Sequence, residues 1–290
     1  VITPDNRPEH LRSVAEGLAA EAAAFVRRRR AEVFGGTIPA GPGDAVRTKT
    51  TPTDPVTIVD TETERLLRDR LAQVRSGDPV LGEEGGGPAD PEAGDGTVTW
   101  VLDPIDGTVN FVYDIPAYAV SVAAQVDGVS VAGAVADVVA GRVYSAGVGL
   151  GARLTDEHGT RPLRCTAVSE LALALLGTGF GYSKQRRTAQ AALLAGMLPM
   201  VRDVRRMGSA ALDLCMVAAG RLDAYYEHGL NVWDCAAGAL IAAEAGARVV
   251  LPEPGLTAGG PGPVIAAAPG IADELLAALQ RFDGLAPIAG

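Results

Sequence analysis

The hexapeptide Asp103-Pro104-Ile105-Asp106-Gly107-Thr108 carries residue types that could hold hard cations, and it directly follows the apolar run TVTWVL. Two carboxylates three residues apart, with φ fixed at Pro104 and a free backbone at Gly107, can curl around Mg²⁺-like ions, and the Ile105 carbonyl can add an oxygen. Strand ends are also where α/β folds place their chemistry. The same residue types build an Asx-stabilised turn, so the hexapeptide alone decides nothing. Further acids stand at Glu83 and Glu84 in a glycine-flanked loop, at Asp60 after an apolar stretch, and at Asp234 in Val232-Trp233-Asp234-Cys235 at the head of an apolar helix pattern. Each has an ordinary alternative: a solvated loop tip for the glutamates, a helix cap for the aspartates. Together they put acids at several strand ends and helix starts, which is what a multi-metal phosphate site needs.

The elements that must position these acids follow from periodicity. Apolar positions Leu11, Val14, Leu18, Ala22 and Phe25 step by three and four, which predicts a long amphipathic helix from His10 to Val33, closed by Arg27 to Arg30. Basic residues on the last turns of a helix are read as a solvated face rather than a nucleic-acid surface. Residues 35–48 read as a mobile surface loop leading into Lys49, Asp54 to Asp60 as a strand, and the stretch carrying Leu66, Leu67, Leu71 and Val74 as a second helix that starts at Thr61. TVTWVLD, AVSVAAQV, VSVAGAVADVV and RVYSAG, divided by turns such as Asp127-Gly128, predict an antiparallel meander. Beyond it, apolar runs at 171–180, 222–227, 247–251 and 264–268 alternate with helical patterns at 188–199, 209–219, 234–246 and 271–281, an α/β rhythm. The expected organisation is an α+β half over residues 1–155 and an α/β half over 156–290, packed as one catalytic unit around a cleft.

Composition narrows the classes. A length of 290 residues with 48% hydrophobic and 21% charged residues supports a large packed core and excludes a small disulfide scaffold or a disordered chain. The formal net charge of −10 gives little support for direct binding to nucleic acid or an anionic bilayer. Cys165, Cys215 and Cys235 are an odd number at wide spacing, the N-terminus has no signal pattern, and no apolar run is long enough to span a membrane. A soluble cytoplasmic protein is expected.

GEEG at 82–85, WVLDPIDGTVNF at 100–111 and WDCAAGALIAAEAG at 233–246, in that order, resemble the signature regions of the inositol monophosphatase family, within it the bacterial, actinobacterial SuhB-type members. The likeness runs over essentially the whole chain, with further matches at Lys49 to Asp60 and Gly208 to Glu227. It implies a layered α/β sandwich, the sugar-phosphatase fold, a homodimer, and Mg²⁺-dependent, Li⁺-sensitive hydrolysis of inositol 1-phosphate and similar polyol monophosphates with two or three ions. Carried over by motif, Glu83, Asp103 and the Ile105 carbonyl would hold one ion and Asp103, Asp106 and Asp234 another, with Glu84 one layer behind. The resemblance implies in-line attack of an activated water without a phosphoenzyme: Thr108 and Glu83 orient the water, Asp60 partners the Thr108 hydroxyl, and Lys49 sits on a gating loop. Gly107 and Thr108 would face the phosphate, while Asp106, Gly208, Ser209, Ala210 and Glu227 would receive the leaving alcohol. Position 209 is Ser where many relatives carry Thr, which keeps the hydroxyl.

Other readings remain open. The same metal core could serve fructose 1,6-bisphosphate, 3′-phosphoadenosine 5′-phosphate or histidinol phosphate, for which Arg205 and Arg206 lie near in sequence. A role as an interaction factor on RNA or the transcription machinery is the alternative from another class. Gly147-Val148-Gly149-Leu150-Gly151-Ala152 imitates a dinucleotide fingerprint, but a polar LTDEHGT follows it, so a turn between strands is expected.

Overall fold

The computed structural model describes residues 5–35, 46–49, 55–87, 96–252 and 262–288. Its first part runs α1 (Pro8–Phe34), β1 (Val46–Thr48), β2 (Pro55–Thr57), α2 (Ile58–Val74), β3 (Val80–Gly82), β4 (Val98–Asp106), α3 (Thr108–Tyr113), β5 (Ala119–Val126), β6 (Val129–Asp137), β7 (Arg142–Gly147), β8 (Ala152–Asp156) and β9 (Gly159–Pro162). It continues through β10 (Leu175–Thr178), α4 (Lys184–Met197), β11 (Asp203–Arg205), α5 (Ala210–Ala218), β12 (Ala224–His228), α6 (Val232–Glu244), β13 (Arg248–Val250), β14 (Pro263–Ala267) and α7 (Ala272–Arg281).

β3 to β9 form one sheet in chain order, antiparallel throughout except that β3 runs parallel to β4. β11, β10, β12, β14 and β13 form a second, mixed sheet in that order. Alternation along β4 sorts the layers: Trp100 and Leu102 join α1 and α2 through Leu11, Leu18, Leu67 and Leu71, while Val101 joins α5 and α6 through Ala211, Ala237 and Ile241. The outer faces of α5 and α6 meet Tyr225, Val264 and Ala266 of the second sheet, whose far side is covered by α4 and α7. The result is a five-layer stack with two helices as its middle layer. α5 and α6 approach closely because both are built of small residues; a Cβ added at Gly238 would stand 2.9 Å from the Leu214 Cβ.

Several boundaries differ from the periodicity reading. Residues 46–48 are a strand paired with β2 rather than loop, and residues 36–45 of the expected mobile loop lie outside the described residues. The stretch read as strand to Asp60 turns helical at Ile58, because Thr57 caps α2 through Val59 N and Asp60 N. The polar segment after Gly151 is a hairpin, β8 and β9, and the glycine-rich turn before it is held by Glu244, whose two carboxylate oxygens accept from Gly149 N and Gly151 N. The arginine run is not simply solvated. Arg27 donates to the Val138 carbonyl, Arg29 pairs with Glu32 and Glu62, and Arg30 is buried against Phe34 and Phe111 with Asp114 as its partner. The three cysteines are unpaired, and among the described residues no helix is long and apolar enough to cross a membrane.

The tight seam between α5 and α6 gives a direct check. Gly238→Val should destabilise the protein by about 1–3 kcal/mol, the range for an overpacked contact. Denaturant unfolding followed by circular dichroism reads this, and an unchanged midpoint would show that the seam yields freely.

Candidate active site and metal centre

The end of β4 sets the site. All nine β4 residues are buried, but pairing with β3 stops at Leu102 and the register with β5 slips between Asp103 and Asp106. Pro104 has no N–H to give to a ladder, so the strand bulges where it lies and both aspartates turn to the sheet's end. Asp103 Oδ1 accepts from Ile105 N at 3.0 Å. Asp106 Oδ2 accepts from the Ser209 hydroxyl at 2.6 Å and Ala211 N at 2.7 Å, which fastens β4 to the start of α5. Gly107 follows at φ 96°, where a Cβ would meet the Ala117 carbonyl at 3.0 Å and the Gly208 carbonyl at 3.1 Å.

Asp234 occupies the first turn of α6, and its Oδ2 accepts from Asn231 N at 2.6 Å. Oxygens of Asp103, Asp106 and Asp234 lie within 4.8 Å of one another. Burial, then Glu83, Asp106 and Asp234, hold the Asp103 carboxyl well above the carboxylate range. Burial and then Glu83 and Asp106 do the same for Asp234. Asp106 is pushed up to about 6 by burial, with its Ser209 and Ala211 hydrogen bonds working against the rise and Glu83 adding to it. A buried cluster of oxygens that resists losing its protons fits a hard divalent cation, which supplies the opposite charge and accepts oxygen ligands.

Asp60 is fully buried within α2, where it forms a capping box with Thr57: its Oδ2 accepts Thr57 N at 2.9 Å and the Thr57 hydroxyl at 2.5 Å. Its Oδ1 lies 3.2 Å from the Thr108 hydroxyl, which also reaches the Ile105 carbonyl at 3.0 Å. Burial raises Asp60 to about 7, against the Thr57 hydroxyl and with the help of Glu83. Glu83 adjoins the cluster at Asp103, and Lys49 Nζ donates to its Oε1 at 2.7 Å and to Glu84 Oε1 at 2.5 Å. Burial works to lower the Lys49 pKa, but Glu83 and Glu84 outweigh it and hold the ammonium above its ordinary range.

A cleft of about 330 Å³ joins these groups, lined by Lys49, Glu83, Asp103, Ile105, Asp106, Gly107, Thr108, Gly208, Ala210, Glu227 and Asp234. Asp60 and Ser209 stand behind its wall, each 1% exposed or less. Glu227 lines the same cleft, with its Oε2 accepting the Tyr225 hydroxyl at 2.6 Å. Burial lifts it to about 7, while Tyr225 and then Arg206 pull it down. Gly179 leaves the space that the Glu227 carboxylate fills.

Four supporting residues escaped the sequence reading. Glu64 on α2 is buried and accepts Glu84 N at 2.7 Å and Gly85 N at 2.8 Å, while Arg68 braces it at 2.8 Å. Their i,i+4 spacing was the available signal, but exposed helices carry such pairs everywhere. Asn110 Nδ2 bridges the Ala117 and Met207 carbonyls, joining the α3 turn to the Gly208 loop. Asp213 sits behind Asp106 with neither oxygen hydrogen-bonded among the described residues, and burial, then Glu227 and Asp106, hold it well above the carboxylate range.

With this geometry, comparison with known proteins identifies the lineage. The model of the inositol monophosphatase family matches residues 7–284. The chain belongs to that family. As a member it is an enzyme, a phosphoric monoester hydrolase, and its layered α/β fold is the family's. It is 77% identical over 286 residues to the inositol-1-monophosphatase of Mycobacterium leprae, covering 98% of each chain. It is 75% identical over 288 residues to the inositol-1-monophosphatase SuhB of Mycobacterium tuberculosis, again over 98% of each. The solved structure of Mycobacterium tuberculosis SuhB superposes with a TM-score of 0.81 at 68% sequence identity, over 97% of this chain and 100% of that one.

The raised carboxylates set a pH dependence. Above about pH 4 the unfolded chain has lost protons that folded Asp60 and Asp106 keep until about 7 and 6, so their contribution to stability falls as pH rises through that window. A divalent cation held by the deprotonated cluster would offset the loss. Chelator-treated protein should therefore lose thermal stability between about pH 4 and 7, and Mg²⁺ should raise Tm more at the upper end. Equal Mg²⁺ shifts at both ends in scanning calorimetry would count against the cluster as the cation's site.

Proposed function

We propose that this chain hydrolyses inositol 1-phosphate and similar polyol monophosphates with Mg²⁺. The observation that carries the reading is the meeting of Asp103, Asp106 and Asp234 in a cleft that Glu227 also lines. The names of the mycobacterial relatives support the substrate. Glu83, Asp103 and the Ile105 carbonyl would hold one ion and Asp103, Asp106 and Asp234 a second, with two or three ions in all. Bound there, Mg²⁺ neutralises phosphoryl charge and makes a water acidic enough to serve as nucleophile.

The chain's own groups do the rest. Thr108, hydrogen-bonded to Asp60, orients the attacking water and passes its proton toward the buried carboxylate, with Glu83 on the same side. Lys49 neutralises Glu83 and Glu84 in the absence of a metal ion, and an ion held by Glu83 would supply that charge in place of the ammonium. The backbone at Gly107 and Thr108 receives phosphoryl oxygens, since no side chain at 107 obstructs the approach. Asp106, Gly208, Ser209 and Ala210 bound the leaving alcohol, and Glu227 accepts hydrogen bonds from its hydroxyls. Residues 1–155 and 156–290 act as one catalytic unit because the acids come from both. A cytoplasmic homodimer without direct nucleic-acid binding completes the proposal.

Release of inorganic phosphate from inositol 1-phosphate, fructose 1,6-bisphosphate, 3′-phosphoadenosine 5′-phosphate and histidinol phosphate tests it, each with Mg²⁺, with chelator and with Li⁺. Inositol 1-phosphate should be preferred, chelator should abolish turnover and Li⁺ should inhibit it. Asp103→Asn and Asp234→Asn should each lower kcat by about 10²–10³, the scale for removing an electrostatic stabiliser, with the fold intact. Preference for another ester overturns the leaving-group assignment. Full turnover in either variant removes the metal site, and metal-dependent release from none of the esters favours the interaction-factor reading.

A further inference from the structure

Arg186 lines the same cleft as the aspartates, and neither the hexapeptide nor its partners accounts for it. It lies in the first turn of α4, where its own N–H is capped by the Ser183 hydroxyl at 3.0 Å. Two glycines shape its bed. A Cβ at Gly181 would stand 2.7 Å from Arg186 Cδ, and one at Gly229 would stand 2.8 Å from Cζ and collide with Nη1, with Gly229 itself at φ 82°. The chain is thinned on both sides so that the guanidinium can lie at the cleft wall. Its Nε is buried with no hydrogen-bond partner, and no acid pairs with it among the described residues. The other cations of this region are occupied otherwise. Lys49 binds two glutamates, Arg205 is exposed and pairs with Asp203, and Arg206 bears on Glu227.

We infer that Arg186 recognises a second phosphoryl group, carried by the alcohol that leaves. This rests on the hydrolase reading above. The scissile ester belongs at the aspartates, and Arg186 lies against Gly181 and Gly229 and bears on His228, not on Asp103, Asp106 or Asp234, so it faces the leaving group instead. A held, unpaired guanidinium presents its donors as a fork that matches a phosphoryl dianion, and its charge gains more from that dianion than from a neutral hydroxyl. Such a residue leaves a simple polyol phosphate as a substrate and adds affinity for one phosphorylated twice.

The test compares fructose 1,6-bisphosphate with fructose 1-phosphate, which differ only in the second group. Arg186→Gln should lower the ratio of kcat/KM for the bisphosphate over the monophosphate by about tenfold or more, mainly through KM. Arg186→Lys should recover part of it. A fall common to both esters with the ratio unchanged overturns the inference. Fructose 6-phosphate, which carries only the second group, gives a readout that needs no turnover. Titrated by calorimetry into chelator-treated protein, where the bare aspartates repel it, it should bind about tenfold more weakly to Arg186→Gln than to the parent, and an equal affinity overturns the inference. If the parent cleaves neither fructose ester, release of phosphate from inositol 1-phosphate decides on the hydrolase reading, while the titration still decides on Arg186.

Discussion

Three aspartates held within 4.8 Å of one another in a buried corner repel by an amount on the order of 3 kcal/mol per pair at an effective dielectric of about 20. The surrounding structure has to withstand that repulsion. Each aspartate is tied through one carboxylate oxygen to backbone N–H: Asp103 to Ile105, Asp106 to Ala211 and Asp234 to Asn231. Those N–H groups belong to a bulge and two helix starts, places where a donor lacks a ladder or helical partner in any case. The anchoring therefore withdraws little hydrogen bonding from the rest of the fold. It also draws on the partial positive charge at the starts of α5 and α6.

The same economy explains why the acids looked ambiguous in sequence. The capping alternative holds in part for Asp60 and Asp234: each closes the first turn of its helix, but from the third helical position, with Thr57 and Asn231 as the N-caps. Asp60 also reaches Thr108 and Asp234 also joins Asp103 and Asp106, because a carboxylate has two oxygens and capping uses one. A choice between cap and site was never physically required. Asp60 differs from the periodicity reading only in register: the helix begins three residues earlier, so its carboxylate reaches back to Thr57 and across to Thr108 at once.

Legibility followed the range of the interactions involved. The meander, the helix periods and the hexapeptide could be read because they depend on neighbours a few residues apart. The long stack of α1 against β6 could be foreseen as a helix but not as a partner. Glu64 could not be singled out at all, since its role arises where α2 passes beneath the 83–85 loop, and Asn110 matters only because Met207 comes to it from 97 residues away. The arginine run was misjudged for a related reason. Arg30 is buried because Phe34, Phe111 and Asp114 converge on it, and only the fold brings the last two there.

The cleft's polarity then limits how a phosphate ester can enter. An acidic end without its cation repels any phosphate, so productive binding requires the cation first or together with the ester. The cleft is also lined by Arg186, Arg206 and Glu227, a mixed wall that can take hydroxyls and an anion side by side. With the cation absent, an anionic ligand has its best partner at that mixed wall rather than at the aspartates. Loading of the aspartates thus shifts an anionic ligand's preferred partners from the arginines to the cation, a consequence of placing acids on β4 and α6 while the arginines stand on α4 and the segment before α5.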